Sequence, residues 1–319
     1  MNRLGWSTWI GFWLIALVVG PGPLHGQAPP PQVVQLRTGD GFQLAITYYP
    51  STVRAGMPEA KQVTPVVLLH DHKDTRAIFS PLATLLQTPP PDDPDRPSFA
   101  VVTVDLRGHG DSTKQVFPNG MQQTLDAARI GRADVYSMAA LDMEEVRRFL
   151  RTRNDEGALN LNKLCLVGAG MGANVAANWA VEDWRVPPLA VGKQGQDVKA
   201  LVMISPRWNF EGLSLQEPMR MRALKEQAAW MLIYGAEDAD VVIDVRRIEK
   251  QLRMFHPETD GNGAPRSADF VVLGLPSKLQ GDRLITTLGG TVNERILNFL
   301  IENVASKNLP WSARRTRLP

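Results

Sequence analysis

The stretch "NKLCLVGAGMGANVAANWA", residues 162–180, joins an apolar run to an amphipathic one through a turn crowded with glycine. It reads as strand, tight turn and helix, and amides at such a helix start can hold negative charge. Two spacings fit the turn. Gly168, Gly170 and Ala173 match G-x-G-x-x-A, which cradles a dinucleotide pyrophosphate; Gly168, Gly170 and Gly172 match G-x-S-x-G, which presents a nucleophilic serine, with glycine in the serine's place. The first spacing implies an NADP-dependent oxidoreductase, with Arg207 near a 2′-phosphate. Against it, the acidic residue that normally meets the ribose is missing, and two strand–helix units precede a fingerprint that normally opens its fold.

The surroundings of the turn define the fold class. Apolar runs "TPVVLLH" (64–70), "FAVVTVDL" (99–106), "KLCLVG" (163–168), "VKALVMIS" (198–205), "AWMLIYG" (229–235) and "ADFVVLGL" (268–275) read as strands. Helical spacing is clearest over 133–152, 171–183, 241–255 and 290–304. Near-continuous apolar strands alternating with amphipathic helices predict an α/β fold, with a mostly parallel sheet covered on both faces. Upstream, "VVQLRTGDGFQLAITYYP" (33–50) predicts an antiparallel hairpin about a Gly-Asp-Gly turn, bringing the sheet to about eight strands. The segment 89–97, "PPPDDPDRP", is a surface loop by composition, and 113–132 is a longer polar excursion. Too few residues separate Ser205 from Ala228 for a large lid domain.

The most specific string is "VVTVDLRGHGDS" (101–112), in which Asp105, Arg107, Gly108, His109, Gly110 and Ser112 end a strand. It resembles the D-x-R-G-x-G-x-S loop of α/β-hydrolases of the dienelactone-hydrolase and serine-aminopeptidase-like kind. In that family the loop buttresses the strand ends, which would make His109 structural. "VVLLHDHKDTR" (66–76) stands where the family carries its oxyanion loop. An amide near Asp71 or His72 would then pair with that of Met171, and His70 would line the same loop. "MLIYGAEDADV" (231–241) resembles the acid-bearing turn and places Asp238 at the acid position. The resemblance runs from about residue 32 to 304 and implies the α/β-hydrolase fold.

The chemistry of that family needs a hydroxyl, a histidine and a carboxylate. Gly170 supplies no hydroxyl at the elbow. The family's histidine follows the last strand, where "VVLGLPSKLQGDRLI" (271–285) offers Gln280; the five histidines stand at 25, 70, 72, 109 and 256, all before that strand. His256 is expected to cap a helix or face solvent. Cys165 lies mid-strand and Ser205 ends another strand, so neither replaces the serine. The expectation is a pseudo-hydrolase with a binding or accessory role. A small-molecule or peptide ligand would occupy the crevice at the strand C-termini, lined by His70, Asp71, His72, Gly170, Met171, Asp238 and Gln280. The alternative is an active esterase- or peptidase-like hydrolase with an unrecognised nucleophile. A metal at His70, His72 and Asp74 is its variant, since H-x-H-x-D resembles the binuclear metallo-hydrolases. That pattern continues with a further histidine, where this chain has Thr75. The leading reading needs no cofactor and no metal.

At the N-terminus, Arg3 precedes the apolar run 4–20, and small residues allow a cut after Gly26 or Ala28. The pattern predicts a signal peptide over 1–28 and an exported protein, secreted or periplasmic. The alternative is a membrane anchor over 4–20, and membrane contact is expected only if that segment stays uncleaved. The folded domain is expected over 29–305 and a solvated basic tail over 306–319. A net charge of +2 gives no reason to expect a nucleic-acid partner, and the single cysteine rules out an internal disulfide.

Overall fold

The computed structural model describes residues 28–189, 192–257 and 269–315. The N-terminal apolar run and the last residues of the basic tail lie outside the described residues.

Eight strands form one sheet: β1 (Gln32–Arg37), β2 (Gln43–Tyr49), β3 (Pro65–Leu69), β4 (Ala100–Val104), β5 (Leu164–Ala169), β6 (Val198–Ile204), β7 (Ala229–Gly235) and β8 (Phe270–Leu275). Their order is β1-β2-β4-β3-β5-β6-β7-β8. The β1–β2 hairpin and the β2–β4 pair are antiparallel, and every other neighbour is parallel. The apolar runs follow from burial on both faces: Val67 and Leu69 join one core cluster while Val66 and Leu68 join the other.

Helices cover both faces. On one side lie α1 (Ser80–Gln87) and α5 (Asp282–Leu300), which contribute Leu82, Leu86, Ile296 and Leu300 to the core. On the other lie α2 (Met143–Asp155), α3 (Met171–Arg185) and α4 (Ala239–Arg253), which contribute Val146, Leu150, Trp179, Val245 and Ile248. Among the described residues no helix is long and apolar enough to cross a membrane.

Several boundaries differ from the periodicity. The helix expected over 133–152 is a short helix, Arg132–Ser137, then a π-turn, Met138–Asp142, then α2. The wider turn sets Asp142 fully inside the protein. Helix α5 starts at Asp282, eight residues before the expected start, and kinks at Leu288 beside the poorly helical pair Gly289-Gly290. The excursion 113–132 contains a small hairpin, Lys114–Val116 with Gln122–Thr124. Between β6 and β7 lie a second small hairpin and two short helices, with no lid domain.

Two expectations are corrected. The basic tail is not solvated throughout. Arg314 is buried, its Nη1 donates to Asp197 Oδ1 at 2.6 Å, and its amide donates to Asp155 at 3.1 Å. A cation can sit there because a buried carboxylate meets it. His256 does not face solvent; it is buried, with Nε2 at 2.6 Å from Lys225 O in the last turn of the short helix Arg222–Gln227 and Nδ1 at 3.1 Å from Asp269.

Candidate active-site cleft

The turn between β5 and α3 bends at Gly170, with φ 47° and ψ −111°. This conformation suits glycine and costs a side-chain-bearing residue about 1–3 kcal/mol. Gly168 and Gly172 serve close approach instead: a Cβ on either would press into backbone, that of α3 or that of the end of β3.

The loop after β3 closes over this turn, and its Asp71 carboxylate lies directly on Gly170. Asp71 Oδ1 accepts the amide of Met171 at 2.9 Å and that of His72 at 2.7 Å. These two amides, expected to face a reacting oxygen, converge on a carboxylate of the chain itself. A Cβ on Gly170 would lie less than 3.0 Å from Cγ and both oxygens of Asp71. The amide of Asp71 in turn donates to Asp282 Oδ2, at the start of α5, at 2.7 Å. With the Met171 amide engaged, a pyrophosphate would have to displace Asp71 before the dinucleotide reading could apply.

Asp282 is almost fully buried. Burial, together with the Asp71 and Asp74 charges, pushes its carboxyl up to about 8, so it holds a proton at neutral pH. The sign of the pH effect follows. In the unfolded chain the group ionises near pH 4, so stability falls as pH rises from about 4 towards 8. Asn keeps the acceptor and cannot ionise. Asp282→Asn should match wild type near pH 5 and become the more stable protein by about 1 kcal/mol per further pH unit up to 8. Urea unfolding of both proteins at pH 5 and pH 8 checks this; a pH-independent gap would show an ordinary carboxylate.

Gln280, which the resemblance sets at the family's histidine position, is committed to the sheet edge. Its Oε1 accepts from Ser205 Oγ at 2.6 Å and from the Gly235 amide at 3.2 Å, and its Nε2 donates to Gly235 O at 2.8 Å. Ser205 Oγ also accepts from the Gly281 amide at 2.9 Å. Gln280 thus ties together the C-terminal ends of β6 and β7. Asp238 stands after β7, as the resemblance places it, but its carboxylate caps α4 by accepting from Asp240 N and Val241 N.

His70 is buried, and both ring nitrogens are taken by backbone: Nδ1 lies 2.6 Å from Asp71 O, and Nε2 accepts from Leu106 N at 3.1 Å. The carbonyl partner assigns the proton to Nδ1. Burial, aided by His109 and His72, pushes this imidazole down to about 3. It is a neutral strut. Among the described residues no three His, Cys, Asp or Glu side chains are arranged to hold a metal, and His70 has no free nitrogen to give one. His72 is half-buried, its ring 5.6 Å from that of His109 and 5.7 Å from that of Phe210. The thiol of Cys165 is buried in the core, and burial raises its pKa.

The Asp105–Ser112 loop is a staple. Asp105 accepts from the amides of Arg76 at 2.7 Å and Asp111 at 2.9 Å, and pairs with the Arg76 guanidinium. Arg107 Nε reaches Asp142 Oδ2 at 3.0 Å, and Nη1 reaches Asp40 at 2.9 Å. Ser112 Oγ accepts the Ala45 amide at 2.8 Å, and Gly108 N donates to Ser112 O at 2.7 Å. His109 is buried, with Nδ1 at 3.1 Å from Arg107 O, and burial holds its pKa low. Beside this loop, at the strand C-termini, opens a cavity of about 240 Å³ lined by Lys73, Asp74, His109, Thr113 and Arg129.

The structure therefore gathers Asp71, His72, Gly170 and Met171, with Gln280 adjoining through Gly281, whose Cβ would also meet Asp71. It leaves His70 under the loop and Asp238 on a helix cap. Asp282 and the carboxylate of Asp71 were not singled out from the sequence. Their signal would have been an acid directly after the Gln280-Gly281 pair and another at the oxyanion loop, which only the fold brings together.

The sequence pattern of the alpha/beta hydrolase family matches residues 66–294. No curated protein matches the sequence. Among solved structures, the esterase Pf2001 of Pyrococcus furiosus is 15% identical with a TM-score of 0.54, covering 86% of this chain and 91% of its own. The peroxisomal alpha-beta-hydrolase Lpx1 of Saccharomyces cerevisiae is 11% identical with a TM-score of 0.53, covering 91% of each chain. DcsB, solved with a substrate analogue, is 14% identical with a TM-score of 0.55, covering 86% of this chain and 100% of its own. At these identities the likeness is one of fold. The family match, which spans most of the folded sequence, carries the assignment: this chain belongs to the alpha/beta hydrolase family.

Proposed function

We propose that this protein is a non-catalytic member of its family, exported and acting as a binding or accessory protein. One observation carries the reading: the place of the nucleophile is glycine, and the Asp71 carboxylate fills the space above it while bonding the Met171 and His72 amides. Acyl transfer needs a nucleophile, a proton acceptor and free donors for the developing oxyanion. Gly170 offers no nucleophile, Gln280 no basic nitrogen, and the donors are taken. The ligand of this reading is a small molecule or peptide at the strand C-termini; the cavity there, beside His109, is lined by none of the seven residues expected to line the crevice. Export rests on Arg3 and the apolar run 4–20, and predicts a mature chain beginning at Gln27 or Pro29.

The test is wild-type protein exposed to a fluorophosphonate probe and to p-nitrophenyl acetate, with the N-terminus of the protein from producing cells read by mass spectrometry. The expected results are no covalent label and turnover at the level of buffer. Stoichiometric labelling, or acceleration approaching the ~10⁶-fold typical of enzymes, would overturn the reading. An intact N-terminus starting at Met1 would overturn cleavage.

A further inference from the structure

We propose that the oxyanion hole of this chain survives as a carboxylate-binding site whose ligand is its own Asp71 side chain. The inference rests on the non-catalytic reading of the site and deepens it. Here two backbone donors, one at the N-terminus of the 15-residue helix α3, still converge on a single oxygen at 2.9 and 2.7 Å. The second Asp71 oxygen lies over Gly281, and a Cβ added there would approach it closer than 3.0 Å.

Two glycines on different elements thus make room for one carboxylate, Gly170 beneath it and Gly281 beside it. Both have positive φ, 47° and 55°, so neither position favours a side chain. Because the space is fitted to a planar carboxylate, a flat trigonal anion is expected to suit it better than a tetrahedral one. Asp282, protonated at neutral pH, bonds the Asp71 amide without adding a second negative charge next to the first. Tethering supplies the ligand at high effective concentration, so external carboxylates are kept out of the wild-type site.

Removing the tethered ligand should expose the site to an untethered one. In Asp71→Gly, sodium formate is expected to shift the ¹⁵N–¹H signals of Met171 and His72 saturably and to raise the melting temperature. The affinity would be millimolar at best, as a three-atom ligand allows. Wild type should show neither effect, and sodium phosphate at equal ionic strength should reproduce neither in the variant. A non-saturable response, an equal response to phosphate, or Met171 and His72 signals in Asp71→Gly identical to wild type would overturn the proposal. Should Asp71→Gly fail to fold, Asp71→Asn keeps the shape and the acceptor but drops the charge. Its Met171 and His72 amides are expected to exchange with solvent at least tenfold faster than in wild type, and unchanged protection would overturn the proposal. These readouts involve no turnover. Ester hydrolysis by wild type would defeat the functional reading, and a silent formate titration defeats this one.

Discussion

Gly170→Ser is expected to lose about 3–5 kcal/mol of stability and to gain no esterase activity. On the proposed reading of Gly170 as the nucleophile position, a serine placed there would be expected to bring activity; the geometry argues the reverse. A serine must adopt φ 47° and ψ −111°, which costs about 1–3 kcal/mol. Its Cβ must also enter the volume of the Asp71 carboxylate, so that carboxylate must leave. Leaving gives up the hydrogen bonds to Met171 and His72, and bonds to a charged group are worth roughly 1.5–3 kcal/mol each. These contributions overlap, so the estimate stays below their sum.

Gly170→Ala should behave like the serine variant, since the collision begins at Cβ. Combining Gly170→Ser with Asp71→Gly removes the collision but keeps the backbone cost. The double variant should be more stable than the sum of the single losses predicts, by about 1–3 kcal/mol. Urea unfolding of the four proteins measures this coupling. A serine variant within 1 kcal/mol of wild type would mean that the Asp71 loop yields freely. Even the double variant should stay inactive, because Gln280 spends its amide on Ser205 and Gly235 and offers no base.

The fold was legible because its signals are local. Every strand run in the sequence became a strand of the sheet, since a run buried on both faces has to be apolar throughout. The Asp105–Ser112 loop was legible because its turn is local, with backbone bonds closing inside it, although its side chains reach out to Arg76, Asp142, Asp40 and Ala45. The glycine spacing put a tight bend at Gly170, and Gly170 does occupy the bend. What fills that position could not be read. Asp71 and Gly281 are more than two hundred residues apart, and their contact exists only after β3, β5 and α5 meet. An amide near Asp71 or His72 was the expected donor at the hole, and that of His72 does donate; the acceptor turned out to be the Asp71 side chain. Asp238 shows the opposite limit. Its position after β7 was legible, but whether its carboxylate turns to Gln280 or caps α4 depends on local geometry. The tail misled for a third reason, since charge in a terminal segment usually means solvent, and Arg314 is buried by a partner, Asp197, far away in sequence.

Arg107→Met is expected to cost about 3–5 kcal/mol, the range for removing one partner of a buried ion pair. Methionine replaces much of the volume, so the loss reports charge more than cavity. The Arg107 side chain is 4% exposed and that of Asp142 is 0% exposed, while Asp40, at the turn of the β1–β2 hairpin, is partly open to water. Asp142 is therefore the group left in difficulty. Burial already pushes its carboxyl up to about 6 with the guanidinium in place, and removing the cation raises it further, so in the variant Asp142 takes up a proton at neutral pH. The pH sign follows from this. A carboxyl whose folded pKa lies above its unfolded value loses stability as pH rises towards the folded value, so the variant should fall further behind wild type between pH 6 and 8. Asp142→Asn placed on Arg107→Met removes that ionisation and should recover part of the loss and flatten the slope. Arg107→Lys should not substitute, because one ammonium cannot span Asp142 and Asp40 as the guanidinium fork does. A loss below about 1 kcal/mol for Arg107→Met, with no steeper pH dependence, would mean the loop holds its shape by backbone bonds alone and that Arg107 pins nothing.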